Sequence, residues 1–205
     1  MANLNFEYIN HNINSELFQK QTQNLQPRKL LLDTLRNFGD FTGLAIDIGC
    51  GSGFDTLKLL QSGWKVVAID ANPNGFKILK SRMSKENLSN VIFIQKYFEN
   101  IVLPCADLIY SAFSLPFCRP EAFDNFWNKI VNAISKNGRF AGNFFGDKDN
   151  WSHIGDMTFK SDKQIYNLFK DFEIEYYDEV HEKGQTILNK PREWHIFDVI
   201  AKKQT

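Results

Sequence analysis

The sequence carries no excess charge of either sign. Its 24 lysines and arginines balance 24 aspartates and glutamates over 205 residues. It therefore lacks the strong overall field that attracts nucleic acid or an anionic membrane surface. Nucleic acid is accordingly not the expected partner. The length suits one domain that buries a core of its own.

Long apolar runs and the pattern of a secretory leader are also missing. No stretch approaches the roughly 20 apolar residues of a membrane span, so we expect no membrane association. The three cysteines, Cys50, Cys105 and Cys118, are odd in number and lack Cys-x-x-Cys spacing. This disfavours a disulfide framework and a cysteine zinc site, and favours a reducing cytoplasm. No grouping of His, Cys, Asp and Glu has metal-ligand spacing, so we expect no metal.

The most informative absences lie in a glycine-rich stretch, LAIDIGCGSG at residues 44–53. It reads as a buried strand that ends in an acid, then a tight turn, then a helical pattern that stops at Gly63. A dinucleotide fingerprint needs a third glycine where Phe54 stands. A P-loop needs a lysine after its last glycine, but Gly53 is followed by Phe54 and Asp55. The remaining pattern, acidic-x-Gly-x-Gly-x-Gly, suits a ligand with positive charge rather than phosphate.

A second acid follows one strand later. Residues 65–70, KVVAID, read as a strand that ends at Asp70, and Asn72 with Pro73 predicts the start of another helix. Asp70 lies about twenty residues beyond the turn, where a doubly wound sheet holds a carboxylate over a ribose. An acid at a strand end can also cap a helix. The neighbouring glycine turn favours the ribose interpretation.

Strand and helix patterns alternate along the rest of the chain. The patterned segments are strands at 91–95, 107–113 and 139–145, a helix over 121–136, a capping box at Ser161 and Gln164, and final strands at 172–179 and 194–202. They predict an α/β, doubly wound Rossmann-like sheet of seven strands, mostly parallel with an antiparallel last strand, with helices on both faces. Residues 27–205 form a single domain in this interpretation. The polar segment 1–26 is either a flap over the site or a frayed terminus.

Several of these motifs resemble those of class I S-adenosylmethionine-dependent methyltransferases. They are DIGCGSG at 47–53, AID at 68–70 and DLIY at 107–110. Three further stretches resemble more specifically the small bacterial tellurite-resistance-type methyltransferases: FSLPFC at 113–118, FFGD at 144–147 and WHIF at 194–197. The resemblance covers roughly residues 27–203. It implies S-adenosyl-L-methionine as cofactor, S-adenosyl-L-homocysteine as product, and a methyltransferase domain over residues 27–205.

The resemblance also implies a set of cofactor-binding residues at matching positions. These are Gly49, Cys50 and Gly51 along the methionine portion with Asp47 nearby, Asp70 at the ribose hydroxyls, Ala71 and Phe98 at the adenine, Ser111 near the transferred methyl, and Arg28 at the cofactor carboxylate. Many relatives carry an aspartate where Tyr97 stands. The hydrogen bond from the adenine amine would then go to Glu99 or to a backbone carbonyl.

The implied chemistry needs alignment more than a catalytic triad. A methyl on a sulfonium is already activated, so transfer is an in-line displacement, and a general base is needed only if the acceptor must lose a proton. Six residues are candidates for the acceptor side: Tyr110, Phe113, Phe117, Trp151, His153 and His195. The two histidines could act as bases because imidazole titrates near neutral pH, although each also suits a packing or surface role.

The leading hypothesis is methylation of a small molecule, with soft or toxic nucleophiles among the candidates. The alternatives are a methyltransferase acting on protein or nucleic acid, a cofactor-binding sensor without transfer activity, and a nicotinamide oxidoreductase, which Phe54 disfavours. The sequence does not indicate the acceptor or the oligomeric state.

Overall fold

A computed structural model of the protein describes residues 25–186 and 188–204. The predicted polar segment 1–26 lies almost wholly outside this range. The described elements are, in chain order, α1 Lys29–Phe38, β1 Leu44–Ile48, α2 Phe54–Gln61, β2 Lys65–Asp70, α3 Asn74–Ser81, α4 Lys85–Ser89, β3 Val91–Gln95, β4 Ala106–Ser111, α5 Pro120–Ala133, β5 Ile134–Gly146, β6 Phe159–Lys160, α6 Asp162–Leu168, β7 Phe172–Gln185 and β8 Pro191–Lys203.

The strands form one sheet in the order β3-β2-β1-β4-β5-β8-β7. Strands β1 to β5 pair in parallel, whereas β8 is antiparallel to both β5 and β7. The predicted seven-stranded sheet with an antiparallel last strand is confirmed, and the two-residue strand β6 pairs with the end of β5 in addition. The strand order reverses between β1 and β4, which opens a crevice at their carboxyl ends.

Helices cover both faces of the sheet, which explains why its inner strands read as unbroken apolar runs. Successive residues of a strand point to opposite faces. Ile46 of β1 packs in a cluster with Phe126 of α5 and Ile165 of α6, whereas its neighbour Ala45 packs with Leu31 of α1. Two apolar cores therefore hold β1 from either side and fix the position of the turn that follows it.

One predicted helix boundary is wrong, and the strand predicted over 107–113 ends at Ser111. The apolar stripe through Ile130 and Ile134 predicted a helix over 121–136, but α5 ends at Ala133. Ile134 instead begins β5, where it pairs with Ala106 of β4. A buried isoleucine fits a helical stripe and a parallel strand equally well, so the pattern alone could not separate them.

The final hairpin is longer than its sequence pattern predicted. Strands β7 and β8 pair from Phe172 opposite Lys203 to Gln185 opposite Pro191. Strand β5 pairs with β8 only as far as Phe145 opposite Ile196. The hairpin therefore projects beyond the carboxyl end of β5, toward the crevice. Among the helices of the described residues, none is long and apolar enough to span a bilayer.

Candidate functional site

The glycine turn between β1 and α2 has a backbone that only glycine adopts easily. Gly49, Gly51 and Gly53 have φ angles of 75°, 53° and 75°. A Cβ on Gly49 would lie 1.9 Å from Ser114 Oγ, and one on Gly53 would lie 2.3 Å from Leu79. Steric reasons thus exclude a side chain at Gly49 and Gly53, whereas at Gly51, where a Cβ would meet nothing within 4 Å, only the backbone conformation favours glycine.

Asp70, at the end of β2, lies beside the turn. Its Oδ2 accepts the Gly51 N–H at 2.8 Å and its Oδ1 accepts the Asn72 N–H at 2.8 Å. Burial raises the pKa of Asp70, while these two bonds lower it. Each carboxylate oxygen can accept more than one hydrogen bond, so the side chain can still meet ligand hydroxyls.

Helix α3 packs directly on the turn. A Cβ on Gly75 would lie only 1.9 Å from the carbonyl oxygen of Gly51. On the other side, the N–H groups of Gly49 and Cys50 donate to the carbonyl of Ile69 at 2.7 and 3.0 Å. The turn is therefore clamped between β2 and α3.

Beneath the turn lies a buried acid, Asp47, which is 2% exposed. It accepts the Thr56 hydroxyl at 2.5 Å. Burial, and then the charge of Asp55, raise the pKa of Asp47 to about 7, while Arg28 opposes this shift. Asp70 also raises it. The turn thus lies among three carboxyl groups, an environment that favours a cationic ligand.

Arg28 immediately precedes α1 and contacts the start of α2. Its Nη1 lies 2.6 Å from Asp55 Oδ2, and its backbone N–H donates to Asp55 Oδ1 at 3.0 Å. Its guanidinium carbon lies 4.5 Å from the centre of the Phe54 ring and 5.2 Å from that of Phe113. Sequence reasoning missed Asp55, because an acid in the first turn of a helix is usually a partner for the helix dipole.

Two serines lie at the carboxyl end of β4, Ser111 as its last residue and Ser114 just beyond it. Ser111 is fully buried, and its hydroxyl donates to the carbonyl of Ile48 at 3.2 Å. Ser114, which the sequence did not single out, approaches the turn more closely through its contact with Gly49. Burial raises the pKa of the Cys50 thiol well above its usual value, so this residue stays protonated.

The predicted adenine residues lie where β2 and β3 end. The Ala71 carbonyl accepts the Gln95 side-chain amide at 3.3 Å. Phe98 is half-buried against Phe126, with ring centres 5.1 Å apart. Tyr97 is 65% exposed. Phe98 therefore has one ring face committed to the core, and its role at the adenine stays a prediction.

Four aromatic rings cluster on the predicted acceptor side. Phe145 lies at the centre, with ring centres 6.2 Å from Phe113, 6.5 Å from Phe117 and 5.8 Å from Trp194. All but Phe145 are half-buried. Phe113 has a φ of 53°, and its N–H donates to the Asn143 side chain at 3.1 Å. A left-handed aromatic residue is an outlier of the kind found at functional sites.

Trp151 joins this cluster through an arginine that the sequence did not reveal. The Arg192 guanidinium lies 3.8 Å from the centre of the Trp151 ring and 3.7 Å from that of Trp194. It is paired with Asp149 through bonds of 3.2 and 2.9 Å, and both side chains are almost fully buried. The pair ties the loop after β5 to the projecting hairpin.

The remaining acceptor-side candidates are distributed unevenly. Both ring nitrogens of His195 are engaged, with Nδ1 accepting the Lys148 N–H at 3.1 Å and Nε2 lying 2.8 Å from Glu179. His153 is exposed in the loop after β5. Tyr110 is fully buried, and its hydroxyl donates to Asp55 at 3.1 Å, beneath Arg28 rather than among the acceptor-side rings.

Comparison with known proteins agrees with this architecture. Residues 45–138 match a family described as a methyltransferase domain. The structure is similar to that of TehB from Haemophilus influenzae, with a TM-score of 0.76, 20% identity, and coverage of 91% of this chain and 66% of that one. It is also similar to 1,6-didemethyltoxoflavin-N1-methyltransferase from Burkholderia thailandensis, with a TM-score of 0.68, 16% identity, and coverage of 98% and 85%.

One curated relative shares a shorter stretch. It is named "Probable cobalt-precorrin-6B C(15)-methyltransferase (decarboxylating)", from Methanobrevibacter smithii, and is 38% identical over 45 residues, which are 22% of this chain and 24% of that protein. The chain thus matches about a quarter of this relative and 66% of the TehB chain. The matched domain spans the glycine turn, Asp70 and the first four strands. Residues 45–138 thus match a methyltransferase domain, and the protein has the fold of the methyltransferases to which its structure is similar.

Proposed function

We propose that the protein transfers the methyl group of S-adenosyl-L-methionine to a small-molecule acceptor by in-line displacement. The observation that carries the proposal is the glycine turn set among carboxyl groups, with the Gly51 N–H bound to Asp70 at 2.8 Å. The turn offers no lysine for a phosphate, whereas Asp47, Asp55 and Asp70 favour the cationic sulfonium and ammonium groups of this cofactor.

The residues of the turn fit the cofactor sterically and electrostatically. Gly49 and Gly51 leave no side chain between ligand and backbone, so Gly49, Cys50 and Gly51 would hold the methionine portion above Asp47. Asp70 would accept from the ribose hydroxyls. We propose that Ala71 and Phe98 lie at the adenine and Ser111 near the transferred methyl. Arg28 would bind the cofactor carboxylate. The cofactor supplies an activated methyl on sulfur, and the protein supplies position.

An acceptor would meet the methyl from the side of the aromatic cluster. Phe113 contacts Arg28 on one side and the Phe145–Trp194 rings on the other, so it lies at the boundary between the two halves of the site. Half-buried rings exclude water and give a small molecule apolar surface to rest on. Displacement then depends on alignment, and a thiolate or an oxyanion would need no base.

Calorimetry tests the cofactor. We expect micromolar binding of S-adenosylmethionine and no binding of NAD. The reverse result would refute the proposal, because a nicotinamide dinucleotide would then occupy the turn. A screen for S-adenosylhomocysteine release across thiols, oxyanions, amines and RNA tests the acceptor. Turnover with RNA alone, or silence despite verified binding, would replace the proposal with a nucleic-acid methyltransferase or a sensor.

Replacing Asp70 with alanine is expected to weaken S-adenosylmethionine binding at least about tenfold, or about 1.4 kcal/mol, because two ribose hydroxyls lose their acceptor. The measurement is the Kd by calorimetry. Asp70→Asn is the matched control, since it keeps one acceptor oxygen for the Gly51 N–H and should lose less. Unchanged affinity in Asp70→Ala would remove this side chain from the ribose.

A further inference from the structure

Arg28 lies where the cofactor side of the crevice meets the aromatic cluster. Phe54 directly follows the glycine turn, and Phe113 belongs to the acceptor-side rings; the guanidinium contacts both. The Arg28 side chain is 30% exposed, so it is not sealed in the core. A guanidinium at this junction can meet the end of a ligand that lies along the turn.

Asp55 fixes this arginine through two separate attachments. One carboxylate oxygen accepts the Arg28 backbone N–H at 3.0 Å, and the other pairs with its Nη1 at 2.6 Å. Holding backbone and side chain together leaves the arginine little freedom to turn away from α2.

The carboxylate of Asp55 is itself held from below. Tyr110 of β4 donates its hydroxyl to Oδ2 at 3.1 Å, and Tyr110 is fully buried. The Asp55 side chain is 5% exposed. Asp55 also lies in the first turn of α2, where the helix dipole stabilises a negative charge. The carboxylate that anchors Arg28 is therefore held in place by a buried neighbour.

Within the part of the chain that the structure describes, most of the guanidinium N–H groups have no acceptor. Of its five N–H donors, one is bound to an acceptor among residues 25–186 and 188–204. The planar fork of arginine matches a carboxylate in two-bond geometry. The proposed cofactor carries one carboxylate, on its methionine portion, next to the cationic groups that the buried acids favour.

We infer that Asp55 is a positioning residue that holds Arg28 in place to receive the carboxylate of the cofactor's methionine portion. The inference rests on the proposed function. Asp55 acts through Arg28 and does not touch the ligand. Replacing Asp55 must therefore weaken only ligands that have a carboxylate. A merely structural contribution of Asp55 would affect ligands with and without a carboxylate equally.

The test compares two ligands by calorimetry. S-Adenosylhomocysteine has the carboxylate, whereas 5′-methylthioadenosine keeps the nucleoside and the thioether but lacks the amino-acid end. Arg28→Met should weaken the binding of S-adenosylhomocysteine about tenfold and that of 5′-methylthioadenosine less than about twofold. Asp55→Asn should give a selective loss of about three- to tenfold, and the double variant should resemble Arg28→Met alone, because both changes remove one interaction.

The control is Asp33→Asn, which removes an acid paired with Lys29 and Arg36 on α1, away from the turn. It should change neither affinity. Equal losses of both ligands in Asp55→Asn, or additive losses in the double variant, would overturn the role of Asp55. If Asp55→Asn does not fold, Asp55→Glu moves the charge by one methylene and should show the same selectivity. A wild-type protein that binds neither ligand would instead refute the proposed function.

Discussion

Replacing Asp149 with alanine is expected to lower the free energy of unfolding by about 3–5 kcal/mol. The Arg192 side chain is 2% exposed and pairs with Asp149 through two bonds. Without its partner, the guanidinium would stay buried and uncompensated. The carboxylate also accepts backbone N–H groups from Trp151 at 2.9 Å and His195 at 3.3 Å, which would lose their acceptor as well.

Urea denaturation measures this loss. Glu193→Ala provides the control on the same hairpin, since the Glu193–His181 pair is 41% exposed on both sides. Exposed pairs contribute about 0–1 kcal/mol, so this variant should lose little. A loss below about 1 kcal/mol in Asp149→Ala would show that the Arg192 site relaxes or admits water, in disagreement with a buried, specifically paired charge.

The second large effect concerns pH and Asp47. An aspartate in the unfolded chain releases its proton near pH 4, whereas burial keeps the pKa of Asp47 in the folded protein at about 7. Between these values the folded state binds the extra proton, so stability falls as pH rises. The penalty is complete above pH 7 and is on the order of 4 kcal/mol.

Asp47→Asn should remove this slope, because an amide does not titrate in this range. The amide still offers an oxygen to the Thr56 hydroxyl. The measurement is the unfolding free energy at pH 5 and pH 8, taken as the difference between the variant and wild type. The variant should gain stability at pH 8 relative to pH 5. Asp40→Asn, at an exposed position, should follow wild type. Parallel profiles for wild type and Asp47→Asn would contradict a buried acid that ionises near neutrality.

Much of the fold could be predicted because local pattern and global fold agree. The strand over 91–95 has the predicted bounds, and the Ser161–Gln164 capping box begins α6 as expected. The exceptions have a common cause. Ile134 and the hairpin residues near Arg192 take their conformation from partners far along the chain, and a one-dimensional pattern does not contain those partners.

The residues of the site likewise fall into those that local pattern predicts and those that it does not. The glycine turn and Asp70 could be predicted from the sequence, because a strained backbone requires glycine and an acid stands at the end of a strand. Asp55 and Asp149 do not, since their partners lie 27 and 43 residues away. Only the approach of Arg28 to α2, and of the hairpin to the loop after β5, turns these acids from ordinary polar residues into anchors.

The contact between Gly75 and the Gly51 carbonyl has a consequence for binding entropy. Because α3 leaves no room for even a methyl group against the turn, the turn cannot loosen without displacing a helix. Its backbone is fixed when the protein folds, before any ligand arrives, because its N–H groups at Gly49, Cys50 and Gly51 are bound within the protein. A ligand that binds there loses little free energy to ordering the backbone, so its affinity reflects the contacts themselves. Folding has already set the shape of the site.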